Sequence, residues 1–342
     1  MKSVLIISST YFDYGKNVEA GFKELGYATF LETYSPEPVH PFKGLLKWRY
    51  KFSSNKKKLV QQSKERFNQY IIQKYKEYQP DLVFIFNGGI LFSETLDYFR
   101  TSSQVALWMF DSIFFRTECE SHIDHVDAMF CFEKSDVEYY KTINKRAWFL
   151  PFAVDPNTYF PFETAKDIDI AFVGIIYKNE KRQRLLNLII ENFPHLKLAF
   201  YGVYKPYYKS IVQWLFREHR SIFKNVNIPP AQVNQLYNRS KIVVNIHHNQ
   251  SKEGANPKVF EICAAGAYQI CDENSYITSI FKENEIGFYR SDEEFITQIK
   301  FALQNDCSKR AAQGRKIIMD NHTFVKRLEQ VFTVLTQTKL NK

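Results

Sequence analysis

The sequence predicts an α/β protein made of two similar halves, each a parallel sheet covered by helices. Three observations carry this. Apolar runs of four to six residues alternate with helical patterns along the chain, as strands buried on both faces require. At 342 residues there is room for two domains of about 100–200 residues each. The alternation breaks once, at Pro151–Glu163 with prolines 151, 156 and 161, and then restarts.

The elements follow in order. Val4–Ser8 is an apolar strand, and a helical pattern over Val18–Leu25 ends at Gly26 before a strand at Ala28–Glu32. The N-terminus, with no long charged region and no small-residue cleavage site, reads as this first strand and not as a signal peptide. Leu59–Glu77 is a long helix, and Pro80-Asp81 introduces the strand Leu82–Phe86, which stops at Asn87-Gly88-Gly89. Further strands are expected at Val105–Met109, Ala128–Phe132 and Ala147–Leu150. After the proline-rich connector, Ile168–Val173 runs to Gly174, Lys178–Arg184 opens a charged helix that continues to Asn192, and strands recur at Leu196–Tyr201, Ile242–Ile246 and Ala267–Cys271. Phe324, Leu328, Val331 and Leu335 mark a last helix over Thr323–Thr336. The halves share this pattern without a sequence repeat.

The formal charge of +9 is concentrated. Between Lys43 and Arg66 nine basic residues face one acid, Glu65, for +8, which leaves +1 over the other 318 residues. This excludes a broadly basic nucleic-acid binder. The segment interleaves its cations with Phe42, Trp48, Tyr50 and Phe52, and Lys47, Trp48, Arg49, Lys56, Lys57 and Lys58 suit the surface of an anionic bilayer as well as they suit a solvated loop. No apolar run reaches 18 residues, so no ordinary transmembrane helix is expected. Five cysteines without CxxC spacing fit a reduced, cytoplasmic compartment.

The most informative stretch is Glu253–Asp272, EGANPKVFEICAAGAYQICD. Two carboxylates, Glu253 and Glu261, flank a small loop, with a helix expected from Phe260 to Ala265 and ended by Gly266. A loop entering a helix after a parallel strand aims backbone N–H groups and the positive dipole end at an anion such as a diphosphate. Lys258 adds a full charge, and the carboxylate of Glu261 can accept two ribose hydroxyls. The same spacing also suits ordinary helix-start acids with Lys258 as their solvated partner.

These residues resemble the donor-binding signature of the group 1, family 4-like GT-B glycosyltransferases. The version NPKVFEICAAGA is closest to the CgeB-like branch, matching at Asn256, Phe260, Glu261, Ala264 and Gly266, with Lys258 where arginine is usual. Asp169–Gly174 with Arg182 or Arg184 beyond it, and His322–Arg327, are similar to further family segments. The resemblance implies two Rossmann-like domains facing across a cleft: an acceptor-side domain over 1–155, a nucleotide-sugar donor domain over 156–320, and a helix over 321–342 crossing back. It implies transfer of a hexose-like sugar from a nucleotide-diphosphate sugar to a glycan or lipid-linked acceptor in polysaccharide biosynthesis, with no cofactor or metal and with retained configuration. Glu261 would take the ribose, Lys258 the diphosphate and Glu253 the transferred sugar. Gly174 would let the backbone approach, with Lys178 or Arg182 as a second phosphate contact. An epimerase of the same fold, or a scaffold that binds nucleotide without turnover, remains an alternative.

Asp111 ends a strand at the carboxyl edge of the first half and suits either a catalytic base or a helix N-cap. The family usually has histidine before it, and here Phe110 stands there. His122 and His125 read as surface residues, whereas His247 or His248 would reach the diphosphate. Asp167 and Asp169 form a DxD pattern that leads into a strand, a poor setting for a metal. No His, Cys or Asp cluster has zinc spacing, and GxGxxG, GxxxxGK[ST] and GxSxG are absent.

Overall fold

A computed structural model describes residues 2–10, 13–34, 53, 55–204, 222–248 and 251–340. The chain divides into two compact units, Met1–Pro151 with Phe324–Lys342, and Phe152–Thr323.

In the first unit the elements are β1 (Ser3–Ser9), α1 (Tyr14–Glu24), β2 (Ala28–Tyr34), α2 (Lys56–Tyr78), β3 (Leu82–Phe86), α3 (Ser93–Arg100), β4 (Gln104–Met109), a 3₁₀ turn at Thr117–His125, β5 (Ala128–Cys131), α4 (Lys134–Thr142) and β6 (Trp148–Phe149). The strands form one parallel sheet in the order β2-β1-β3-β4-β5-β6. Every residue of β3 is buried, as a strand covered on both faces demands. The last helix of the chain, spanning Phe324–Leu340, belongs to this unit. Its Phe324, Leu328, Val331 and Leu335 are all buried, and Leu328 packs so closely on Gly21 of α1 that a Cβ there would lie 3.0 Å from it.

The second unit contains β7 (Ile168–Val173), α5 (Glu180–Asn192), β8 (Leu198–Tyr201), β9 (Phe223–Lys224), α6 (Pro230–Arg239), β10 (Ser240–Asn245), α7 (Pro257–Ala264), β11 (Tyr268–Asp272), α8 (Ser275–Ile280), β12 (Gly287–Tyr289), α9 (Asp292–Gln304) and α10 (Ser308–Asn321). Its sheet, again parallel, has the order β12-β11-β10-β7-β8-β9. From β7 the chain moves toward β8, and from β10 toward β11, so the strand order reverses between β7 and β10. Loops leaving the carboxyl ends of such a pair diverge and open a crevice.

The proline-rich connector is tied down along the second unit. Asn234 and Asn238 of α6 accept the main-chain N–H groups of Phe160 (3.2 Å) and Phe162 (2.9 Å), and Val154 bridges to Thr323. Among the described residues no helix is long and apolar enough to cross a membrane.

Candidate functional site

The helix α7 begins three residues earlier than the sequence reading placed it. Asn256 caps it by accepting the Val259 N–H at 3.3 Å, and Pro257 takes the first helical position, where its missing donor costs nothing. This shift puts Lys258 and Glu261 in neighbouring turns of one face, with Lys258 Nζ 2.6 Å from Glu261 Oε2. Glu261 is buried and Lys258 half-buried, so the pair forms a polar notch in the helix surface. Phe260, expected at the ligand, is fully buried and packs on the His322 ring at 5.4 Å, which braces α7 from the core side. Glu253 is exposed on the loop before the helix.

A buried hydrogen-bond network holds this helix start. Asn245 and Asn256 exchange side-chain amide bonds at 2.9 and 3.1 Å, and Asn245 also donates to Gln269 at 3.0 Å. His247 lies at the centre. Its Nε2 accepts the Asn256 N–H at 3.2 Å, so its proton sits on Nδ1, 2.8 Å from Asp272 Oδ1. The ring is 2% exposed and both nitrogens are engaged inside the protein, so it positions α7 instead of reaching a diphosphate. Lys181 completes the network with its Nζ 2.6 Å from Asp272 Oδ2. Burial works to raise the Asp272 pKa, but the His247 ring and Lys181 override it and hold the carboxyl well below the usual carboxylate range.

His247 Nδ1, Cys271 Sγ and an Asp272 oxygen lie within 4.8 Å of one another, a set of metal-ligating atoms that no sequence spacing announced. Asp272 is already shared between Lys181 and His247, and burial pushes the Cys271 thiol well above its ordinary range. The donor set therefore favours a hydrogen-bonded cluster over a cation site. The DxD carboxylates are likewise occupied, Asp167 by Arg239 at 2.5 Å and Asp169 by Lys241 at 2.8 Å.

Across the strand reversal lies the loop after β7. Gly174 accepts a close approach there: Gly202 has φ +135°, and a Cβ on it would sit 1.8 Å from the Gly174 carbonyl oxygen. Arg182 reads differently from its expected role. Its Nε donates to the Ile246 carbonyl at 2.9 Å and its Nη1 to Ile175 at 2.8 Å, tying the ends of β10 and β7 together, and burial pushes its pKa down to about 10. Lys178 adopts a left-handed conformation (φ 56°) and lines a pocket of about 690 Å³ with Asn179, Glu180, Lys181, Arg184 and His248, three cations against one carboxylate. This pocket opens at the N-terminus of α5, which Asn179 caps by accepting the Arg182 N–H at 3.0 Å. Of Lys181 and Arg184, the sequence names Arg184 as an alternative to Arg182 and gives no sign of Lys181; helical phase, not residue type, separates both from Arg182.

In the first unit, Asp111 stands just past β4 and accepts from Arg116 Nε at 2.9 Å and from Asn87 Nδ2 at 3.3 Å. It caps no regular helix. Phe110, in the usual histidine position, packs edge-on against Phe86 with ring centroids 4.0 Å apart. His122 is not a surface residue: it is 4% exposed beneath Gly88, with Nε2 3.3 Å from the Gly88 carbonyl oxygen, and burial lowers its pKa. His125 faces Asp97 at 2.9 Å. Lys56, Lys57 and Lys58 form the exposed first turn of α2, while Lys47, Trp48 and Arg49 lie outside the described residues.

With this geometry in view, a family model described as glycosyl transferase-like matches residues 181–333. No curated protein matches the chain. Among solved structures, sucrose-phosphate synthase from Thermosynechococcus elongatus is similar with a TM-score of 0.72 at 11% identity, covering 100% of both chains. HepE of Anabaena in complex with UDP-glucose gives 0.65 at 10% identity, over 98% of this chain and 100% of that one. A glycosyltransferase from Rickettsia africae gives 0.64 at 12% identity, over 100% and 99%. These likenesses show the fold: two α/β units with parallel six-stranded sheets, the GT-B class. Within that class, the glycosyl transferase-like segment runs from α5 into the last helix and contains α7.

Proposed function

We propose that this protein is a glycosyltransferase that moves a sugar from a nucleotide-diphosphate sugar to a glycan or lipid-linked acceptor. One observation carries the reading: the glycosyl transferase-like segment, residues 181–333, contains the Lys258–Glu261 notch of α7 together with Lys181, Arg184 and His248 of the pocket at the start of α5. The complex of HepE with UDP-glucose supports a nucleotide sugar as co-substrate.

In this reading the diphosphate lies at the N-terminus of α5, against its first-turn N–H groups and Lys178, Lys181 and Arg184. Glu261 accepts the ribose hydroxyls, and Lys258 turns from its carboxylate toward phosphate. Lysine keeps the charge of the family's usual arginine but not its bidentate fork. As the glycosidic bond breaks, negative charge grows on the leaving diphosphate, and these fixed cations and N–H dipoles stabilise it. Protein groups do that work, so transfer is read as metal-independent. Glu253 lies by the transferred sugar, the Glu pair favours retention, and Asp111 takes the acceptor proton. Arg182, Asn256 and His247 hold the donor-side loops in place, with Gly174 giving the backbone room.

Three consecutive lysines at a helix N-terminus oppose the dipole by about 0.3–1 kcal/mol each. An anionic membrane face would relieve that opposition, which supports an acceptor presented at the cytoplasmic side of a membrane to Lys56–Lys58 together with Lys47, Trp48 and Arg49.

The test is release of nucleoside diphosphate from a panel of nucleotide sugars, with and without glycan and lipid-linked acceptors. Release that depends on acceptor is expected. Conversion of the sugar without acceptor would show an epimerase instead, and binding without turnover a scaffold.

A further inference from the structure

Arg184 stands where two hollows meet. It lines the pocket at the start of α5 and also a second hollow, of about 460 Å³, at the carboxyl ends of β11 and β12. Its Nη1 donates to the carboxylate of Asp292, the first residue of α9, which lines the second hollow and not the first. A cation of the pocket is therefore neutralised by a carboxylate outside it.

The three cations of the pocket are held differently. Lys178 is exposed, with its Nζ 5.5 Å over the Tyr177 ring and no carboxylate partner among the described residues. Lys181 faces Asp272, whose side chain is 13% exposed and is fixed by two His247 donors. An ammonium has three donors, so Lys181 can keep that carboxylate and still face an anion. Arg184 and Asp292 make the loose pair, with side chains 54% and 35% exposed. Water and salt screen such a pair, so little holds it together. Asp292 also loses little when its partner leaves, because the dipole at the N-terminus of α9 favours an acid there.

We propose that Asp292 is a resident competitor for Arg184: it holds the guanidinium in the free protein, yields it to a diphosphate, and takes it back as the product leaves. The inference rests on the diphosphate reading above and adds what sets the strength of that site. A single carboxylate loses the guanidinium to the more highly charged diphosphate, with its several strong acceptor oxygens. Its return on dissociation keeps the product from binding so tightly that release limits turnover.

Calorimetric titration with UDP, GDP and ADP tests it. For the best-bound of the three, Asp292→Asn should tighten binding about twofold to fivefold, the strength of an exposed pair, and Arg184→Ala should weaken it. In the Arg184→Ala background Asp292→Asn should bring no gain, because a competitor without its target does nothing. Without ligand, Asp292→Asn should melt within about 2 °C of the wild type; a larger fall would show a structural pair and not an exchanging one. An equal gain with and without Arg184 would mean that Asp292 only repels the anion at a distance. No gain, while Arg184→Ala weakens binding, would mean that the pair does not compete. Either result overturns the inference and leaves the diphosphate pocket standing. Unchanged affinity in Arg184→Ala removes Arg184 from the pocket, and the inference with it. If neither wild type nor Asp292→Asn binds any of the three nucleotides, both readings fail together.

Discussion

Replacing Asp272 by asparagine separates the charge of a carboxylate from its hydrogen bonds. Oδ1 accepts the His247 main-chain N–H at 2.9 Å and its Nδ1–H at 2.8 Å, and Oδ2 faces Lys181 at 2.6 Å. Removing one partner of a buried ion pair costs about 3–5 kcal/mol. Two features reduce that here. The Lys181 side chain is 36% exposed, so water replaces part of its lost partner, and asparagine still presents an oxygen to both His247 donors. The expected loss is therefore about 2 kcal/mol for Asp272→Asn, against about 4 kcal/mol for Asp272→Ala, which orphans both donors. At about 2–4 °C per kcal/mol for a unit of this size, calorimetry of the whole chain at pH 7 should show Tm falling by about 6 °C and about 12 °C. The acid side gives a second readout. Because the folded pKa of Asp272 lies below its unfolded value of about 3.9, its contribution is present above that value and is lost as pH falls through the folded pKa. Wild-type Tm should thus drop more steeply below about pH 4 than that of Asp272→Asn. Identical melting of asparagine variant and wild type at pH 7, or identical acid slopes, would refute the network as the support of α7.

Three further outcomes are expected. Gly202→Ala must place a Cβ 1.8 Å from the Gly174 carbonyl oxygen at φ +135°, so it should destabilise the chain by about 3–5 kcal/mol; a Tm within 2 °C of the wild type, about one kcal/mol, contradicts that geometry. All five cysteines are buried, with burial pushing the Cys119 and Cys263 thiols up to about 12, so a disulfide reagent at pH 8 should titrate five thiols within minutes only after unfolding in guanidinium. Flotation with vesicles containing anionic lipid should fall at least tenfold when Lys47, Arg49, Lys56, Lys57 and Lys58 are neutralised together, given about 1 kcal/mol per basic residue at the surface; equal flotation sinks the membrane proposal.

What the sequence disclosed and what it withheld follow from range. Continuous apolar runs such as Leu82–Phe86 report strands locally, and the last helix shows its buried stripe in the spacing of Phe324, Leu328, Val331 and Leu335, so the fold class was legible. The start of α7 was legible too and was misplaced: Asn256-Pro257 is a cap followed by proline at the first helical position, and the reading began at Phe260. His122 illustrates the opposite case. Polar residues in a short 3₁₀ turn look exposed until the turn is seen packed beneath Gly88. The His247–Asp272–Lys181 network spans separations of 25 and 91 residues and exists only because parallel pairing sets β10 beside β11, with α5 starting at the same sheet edge. No local pattern encodes it. The same holds for Arg182, whose residue type suits phosphate but whose guanidinium faces two carbonyls.

The central claim, that α7 carries the nucleotide end of a sugar donor, is tested most directly by calorimetric titration of wild type and Glu261→Ala with nucleoside diphosphates. The wild type should bind one of them, and loss of the ribose contact should weaken that binding about tenfold or more, as expected for hydrogen bonds to a charged group. Unchanged affinity in Glu261→Ala would contradict the assignment at its root.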